Sequence, residues 1–360
     1  MNKLFFIMEE TIGLLSSADS STLYEIYRWG IALIKGIQTI ESPALTGMVK
    51  GLTALGTELF YIPLILFIFW CVDEKQGARF CVLILLTAGI NGFFKDLLKQ
   101  PRPYNLDPSV GRAAESSYGI PSGHAQMSLV FWLSAAPWAA KGFGRDTQKS
   151  GGRRAPWIIA ITAVLVIAFT RLYLGVHFPT DIAAGWLLGG LILVLYFLLG
   201  NKIESLLAVG GVRFQMITAA IIVLLMNYSG VDSSLGGIFL GFAAGYSLMK
   251  KHVRFTARGP VRGTTPGAVT LLLRYVIGIA GFLVIYLVLR ALLPGGDSLF
   301  RNIPGWGEAS PYSVLGRFLR YGLLGLWGGV GAPWLFCRLG LASASVSTNG
   351  DAGGEQRIVP

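Results

Sequence analysis

Residues 171–200 read RLYLGVHFPTDIAAGWLLGGLILVLYFLLG, a turn carrying Arg171, His177 and Asp181 that runs into an uncharged stretch from Ile182 to Gly200. A helix of about 20 apolar residues crosses the hydrocarbon core of a bilayer, so this stretch reads as a membrane span entered directly from a charged turn. Pro179 suits the first turn of that helix, where its missing N–H costs nothing. Charged groups at a helix end beside lipid are costly unless they face a polar cavity, so the turn itself reads as a site.

Working outward, further apolar runs cover Ala54 to Val72, Phe80 to Phe94, Ala125 to Ala140 and Trp157 to Thr170 before this stretch, and Phe214 to Ser229, Leu235 to Met249, Ala268 to Leu293 and Ser313 to Phe336 after it. Counted together they predict an all-α, polytopic membrane bundle of about nine transmembrane helices. Composition agrees: 53% of the 360 residues are hydrophobic and 14% charged, with a mean hydropathy of +0.60. The formal charge of +11 would suggest a nucleic-acid partner in a soluble chain. Here the basic residues gather in loops between spans, which is a topology signal, and no nucleic-acid partner is expected.

The loop from Lys141 to Pro156 holds Lys141, Arg145, Lys149, Arg153 and Arg154, and the loop from Lys250 to Arg262 holds Lys250, Lys251, Arg254, Arg258 and Arg262. Both are expected on the cytoplasmic side, as are the loops marked by Lys75 and Arg79 and by Lys202 and Arg213. Residues 95 to 124 and 171 to 181 then face outward. Arg290, Arg317 and Arg320 run against this trend near the outer ends of the last two spans; with Arg301 they could contact a multiply charged headgroup, but snorkelling to lipid phosphates is the favoured reading.

Residues 23 to 40 carry a polar stripe of Glu25, Arg28, Lys35 and Thr39 on an apolar helix, which reads as an interfacial amphipathic helix rather than a tenth span. Glu9 and Glu10 interrupt the apolar stretch Leu4 to Met8, so a cleavable signal is not expected. Ala342 to Pro360 is small, polar and Gly/Ser-rich and reads as a disordered tail. Cys71, Cys81 and Cys337 have no paired spacing and read as buried hydrophobes. The expected organisation is an N-terminal segment (1–50), a catalytic core (51–200), four additional helices (201–340) and a tail (341–360).

Three short motifs precede or include the opening stretch. Lys95, Lys99 and Arg102 stand at i, i+4 and i+7, on one face if the helix continued, although Pro101 and Pro103 break it there. Pro121-Ser122-Gly123-His124 opens the third span, so Ser122 occupies an N-cap position and the amides of Gly123 and His124 form an anion site at a helix N-terminus. In Arg171-x5-His177-x3-Asp181, the carboxylate can accept the imidazole N–H, fix its tautomer and raise the basicity of the other nitrogen. Asp96, Asp107 and Glu115 are too dispersed to read as a metal-binding cluster.

Together and in this order, the motifs resemble the type 2 phosphatidic acid phosphatase superfamily, whose signature is KxxxxxxRP, then PSGH, then SRxxxxxHxxxD. Lys95 with Arg102-Pro103, Pro121 to His124, and Arg171, His177 and Asp181 carry the match, with Thr170 standing where the family has Ser. The resemblance covers roughly residues 54 to 200. The nine spans and the string His177-Phe178-Pro179 also resemble the glucose-6-phosphatase branch.

The resemblance implies a membrane hydrolase in which His177 attacks phosphorus and forms a phosphohistidine, oriented by Asp181, while His124 protonates the leaving oxygen and later activates water. It implies that Lys95, Arg102, Ser122, Gly123 and Arg171 hold the phosphoryl oxygens, with no metal and no cofactor. A site opening at the outer interface suits a lipid phosphate or diphosphate, such as undecaprenyl diphosphate, phosphatidic acid, phosphatidylglycerol phosphate or a sphingoid phosphate. The alternatives are a phosphatase for a soluble sugar phosphate and a non-catalytic lipid-binding or transport protein. The expected location is a bacterial inner membrane with the site facing the periplasm, and the four added helices would shape a lipid groove or a homodimer surface.

Overall fold

In the computed structural model, residues 20–146, 153–228, 233–261, 263–294 and 310–343 are described, together with 299, 300, 302, 303 and 306. Lys149, Arg262, Arg301 and the tail beyond residue 343 lie outside them. The regular elements are helices: α1 (Ser20–Gln38), α2 (Pro43–Thr53), α3 (Glu58–Phe67), α4 (Glu74–Leu98), α5 (Pro103–Leu106), α6 (Gly123–Asp146), α7 (Ala155–Tyr173), α8 (Pro179–Tyr228), α9 (Ser233–Leu248), α10 (Ala268–Leu292), α11 (Ser313–Leu326) and α12 (Ala332–Arg338). Within the described residues, the nine apolar runs counted as spans fall on helical segments. Four described helices are long and apolar enough to cross a membrane: α4 with α5, α7, α8 and α10. The pair Pro43–Gly56 and Glu58–Val72 passes the same length and apolarity test only when taken together, and is bent by 48° at the break.

The chain divides into two compact units, one comprising residues 1–65 and 79–239 and the other 66–78 and 240–360. In the first, α4, α6, α7 and α8 form the bundle. Its aromatic centre packs Tyr61 against Phe131 at a centroid distance of 5.0 Å and Phe131 against Phe80 at 5.3 Å, both pairs tilted. The long helix α8 is two arms, because Gly211 breaks it at φ +67° and ψ −175°, a conformation open to glycine at no steric cost. Arg79 pairs with Glu204 in the first arm, whereas Gly89 lies against Met226 in the second, so the second arm doubles back along α4. The expected loop around Lys202 and Arg213 is therefore a helical hairpin with a one-residue break. Leu187, Leu191, Val194 and Leu198 stay exposed along one stripe of the first arm, as a lipid-facing surface requires.

Helix α1 departs from the expected interfacial helix in one respect: one face is docked on protein. Ile34 is fully buried, and the Gln38 amide donates to the carbonyls of Val110 and Tyr173, both at 2.8 Å. Lys35, read as part of the polar stripe, pairs with Asp107 at 2.7 Å. Leu23, Tyr24, Ile26 and Trp29 remain exposed.

In the second unit, α9 packs on α11 at small residues. A Cβ on Gly241 would come within 1.9 Å of the Gly322 carbonyl oxygen, so the two backbones touch, the way close helix pairs form in membranes. Arg274 is fully buried and donates to the carbonyls of Leu341, Trp70 and Ala257 at 2.8, 3.3 and 2.6 Å, tying three segments together. Arg317 is exposed as snorkelling requires, but Arg320 is 4% exposed and lies with Gly316 and Leu324 on the buried stripe of α11. The snorkelling expectation fails for Arg320 because four-residue spacing places it on the packed face.

Candidate active site

Helices α4 and α7 end, and α6 and α8 begin, at one end of the first unit, and the three motifs meet there. Each is held by local rules. Asp181 is the third residue of α8, and its Oδ2 accepts from the Phe178 amide at 2.9 Å, half of a capping box that satisfies a free N–H at the helix start. The same oxygen lies 3.1 Å from His177 Nδ1. The turn between α7 and α8 is made by Gly175 at φ +64°, where an added Cβ would fall 2.0 Å from the Val110 carbonyl oxygen. Left-handed backbone and close approach together require glycine between Arg171 and His177.

On the other side of the imidazole, Nε2 lies 3.2 Å from Nη1 of Arg102. A guanidinium only donates, so Nε2 presents its lone pair to Arg102 and the ring proton sits on Nδ1, facing Asp181. His177 is 1% exposed, and burial, then the charges of Arg102, Arg171 and Lys95, hold its pKa well below the ordinary histidine value. The ring is therefore neutral at neutral pH.

Arg102 reaches this position by a route different from the expected one. Helix α4 stops at Leu98, and Lys99 adopts a left-handed φ of 48° and is exposed, so the common helical face of Lys95, Lys99 and Arg102 does not form. The chain turns through Pro101 instead, and Asn105 Oδ1 accepts from the Arg102 amide at 2.9 Å at the start of α5. The Arg102 side chain, 1% exposed, then donates to the carbonyls of Ser117 at 2.6 Å and Val176 at 2.9 Å. Lys95 donates to the carbonyls of Tyr118 and Gly119, the second at 3.2 Å.

Ser122 is fully buried at the N-cap of α6; its Oγ faces the Ala125 amide at 3.4 Å and its own amide donates to the Asp181 carbonyl at 2.9 Å. That bond ties the PSGH turn to the start of α8. His124 packs beneath Gly56, where an added Cβ would lie 2.9 Å from the ring. Arg171 is 2% exposed; its Nη1 donates to Thr53 Oγ1 at 2.7 Å and its Nη2 to Glu115, while its buried Nε has no partner.

All eight expected residues thus lie at one end of one unit. Direct contacts join Arg102, His177 and Asp181, and backbone bonds join Ser122 to Asp181. Sequence reading missed three others. Asn91 bonds the Pro121 carbonyl at 3.2 Å and Gln126 at 2.7 Å, steadying the PSGH turn; its position one helical turn before Lys95 was an available signal. Thr53 and Glu115 had none, since each arrives from a segment with no motif. Among the described residues, no group of three or more His, Cys, Asp or Glu side chains is placed to hold a metal ion.

The chain matches two family descriptions: "PAP2 superfamily" over residues 76–204, and "PAP2 superfamily phosphatase, transmembrane extension" over residues 233–344. Phosphatidylglycerophosphatase B of Bacillus subtilis (strain 168) is 31% identical over 179 residues, covering 49% of this chain and 83% of that protein. Undecaprenyl-diphosphatase of Sulfolobus acidocaldarius is 26% identical over 168 residues, covering 45% and 73%. Sphingosine-1-phosphate phosphatase 2 of Mus musculus is 29% identical over 160 residues, covering 42% of each. A crystal structure of a transmembrane PAP2-type phosphatidylglycerolphosphate phosphatase from Bacillus subtilis aligns at a TM-score of 0.43 and 25% identity, over 56% of this chain and 95% of that one. The chain belongs to the PAP2 superfamily, as an integral membrane phosphatase with the family's transmembrane extension.

Proposed function

We propose that this chain hydrolyses a lipid phosphate or diphosphate monoester at the outer face of a bacterial inner membrane, through a phosphohistidine on His177 and without a metal. The observation that carries the reading is the imidazole clamped between Asp181 on Nδ1 and Arg102 on Nε2, at 3.1 and 3.2 Å. A neutral ring with its proton directed at a carboxylate and its lone pair directed at a cation is prepared to attack an anionic phosphorus centre. As the Nε2–phosphorus bond forms and the ester bond breaks, the ring becomes cationic, and Asp181 stabilises it. His124 gives its proton to the departing oxygen; in the second half it takes a proton from water, whose oxygen bonds to phosphorus as the Nε2–phosphorus bond breaks, returning the electron pair to Nε2 and freeing phosphate. Lys95, Arg102 and Arg171, with the Ser122 hydroxyl and the Gly123 amide, neutralise the equatorial oxygens. The unpartnered buried Nε of Arg171 fits this role, because a buried donor without an acceptor is costly.

The names of the relatives, and the position of the site at the ends of helices long and apolar enough to cross a membrane, favour a lipid substrate. The outward orientation rests on the basic loops at the opposite ends of the same helices, and on the nine-span topology expected from the sequence.

The test is phosphate release by purified protein in detergent, across lipid monophosphates, lipid diphosphates and a soluble sugar phosphate, with EDTA and with His177→Ala. Release from lipid phosphates that survives EDTA and is lost in the variant is expected. Preference for the sugar phosphate, loss with EDTA, or an active His177→Ala protein would each refute the corresponding part. Labelling of Ser116→Cys, an exposed position in the site loop, is expected from outside the membrane only.

A further inference from the structure

Glu115 belongs to no motif, yet its carboxylate spans the two arginines assigned to the phosphate. Oε2 lies 3.2 Å from Nη2 of Arg102, and Oε1 accepts from Nη2 of Arg171. Both arginine side chains are 2% exposed, whereas that of Glu115 is 26% exposed, so it alone of the three has a route to solvent. The backbone around it is anchored: the Tyr104 hydroxyl lies 2.9 Å from the Glu115 carbonyl and 3.2 Å from its amide, and Arg102 and Lys95 hold the carbonyls of Ser117 and Gly119. Movement at this position is therefore a side-chain swing, with the loop left in place.

Resting on the function proposed above, we infer that Glu115 is an internal competitor of the substrate: its carboxylate holds Arg102 and Arg171 together between turnovers and must be displaced by the phosphate. Position decides this over a role as co-ligand: the carboxylate occupies the Nη2 donors of Arg102 and Arg171 that the phosphoryl oxygens need. With the carboxylate retained, an extra negative charge would lie against the phosphate in a buried site, where like charges repel most strongly. Two consequences follow. A terminal phosphate, with two charges, displaces the carboxylate better than a singly charged phosphodiester does. Return of the carboxylate to the arginines also helps to expel inorganic phosphate after the second half-reaction.

The experiment uses the full-length protein in detergent and compares wild type, Glu115→Gln and Glu115→Asp. The readouts are KM and kcat for a long-chain lipid monophosphate, and the inhibition constants of orthophosphate and orthovanadate. Glu115→Gln keeps the shape and removes the charge, so orthophosphate and vanadate should inhibit it at concentrations lower by about tenfold or more, the scale of one charge-assisted hydrogen bond no longer set against them. KM should fall in the same direction. Glu115→Asp, too short to bridge both arginines, should show a smaller shift of the same sign and carries the test if the Gln variant does not fold. Inhibition constants that stay within twofold of an active wild type, or rise, overturn the competitor role and leave the phosphatase reading standing. A wild type that neither releases phosphate nor responds to vanadate overturns both.

Discussion

Replacing Asp181 by Asn separates the charge of the clamp from its geometry. A single oxygen, Oδ2, serves both His177 Nδ1 at 3.1 Å and the Phe178 amide at 2.9 Å. The amide oxygen of Asn can take that position and keep both bonds, so what is lost is the negative charge opposite a ring that turns cationic as the phosphohistidine forms. Two unit charges about 5 Å apart interact by about 3 kcal/mol at an effective dielectric constant of about 20. The Asn dipole recovers part of this, leaving a loss of about 2–3 kcal/mol in the transition state, or roughly 30- to 150-fold in kcat/KM. Asp181→Ala should cost more and also lower the melting temperature, because it strands the Phe178 amide and the His177 N–H without an acceptor, at about 1–3 kcal/mol for a buried donor. The assay is kcat/KM by phosphate release alongside thermal unfolding in the same detergent. An Asn variant within threefold of wild type would refute the claim that Asp181 acts through its charge.

His124→Ala, given a substrate whose leaving group needs no protonation, should still phosphorylate His177 but release the phosphate slowly, by a factor of about 10²–10⁴. A burst of leaving group approaching one per protein, with phosphate released only at the slow turnover rate, is the expected trace, and absence of the burst counts against the division of roles. Gly175→Ala should lose activity and melt earlier, since a left-handed alanine costs about 1–2 kcal/mol before the overlap with the Val110 carbonyl is relieved; an unchanged melting curve would show that the turn relaxes without consequence. Because the folded-state pKa of His177 is lowered, its contribution to stability is present above the unfolded value near 6.5 and is lost as pH falls below it, by up to about 1.4 kcal/mol per pH unit. Melting temperatures of wild type and His177→Gln between about pH 5 and 8 should converge as the pH falls; parallel curves would show that the ring is not held neutral.

Much of this protein is legible in one dimension. Hydrophobic runs locate the helices because a membrane helix must bury every backbone group within its own segment, so length and apolarity are written locally. His177, proposed as the nucleophile, and Asp181 are legible for the same reason: four residues apart at a helix start, they meet through a single turn and a capping bond. Other features depend on segments that meet only in three dimensions. The approach of Arg102 to His177 depends on where α4 stops, which a left-handed Lys99 and the turn through Pro101 settle. The docking of α1 depends on carbonyls at Val110 and Tyr173, far from Gln38 in the chain. The burial of Arg320 depends on which face of α11 is packed.

By itself, the sequence determined that this is a helical membrane protein and that three motifs supply a set of side chains suited to phosphoryl transfer, because periodicity, span length and short spacings are properties of neighbouring residues. Only the tertiary structure decided how those side chains are charged, aligned and opposed. Burial and three converging cations keep His177 neutral, and an acid from an unmarked loop, Glu115, bridges the two arginines. Both effects are sums over residues distant in sequence, and no local pattern records them.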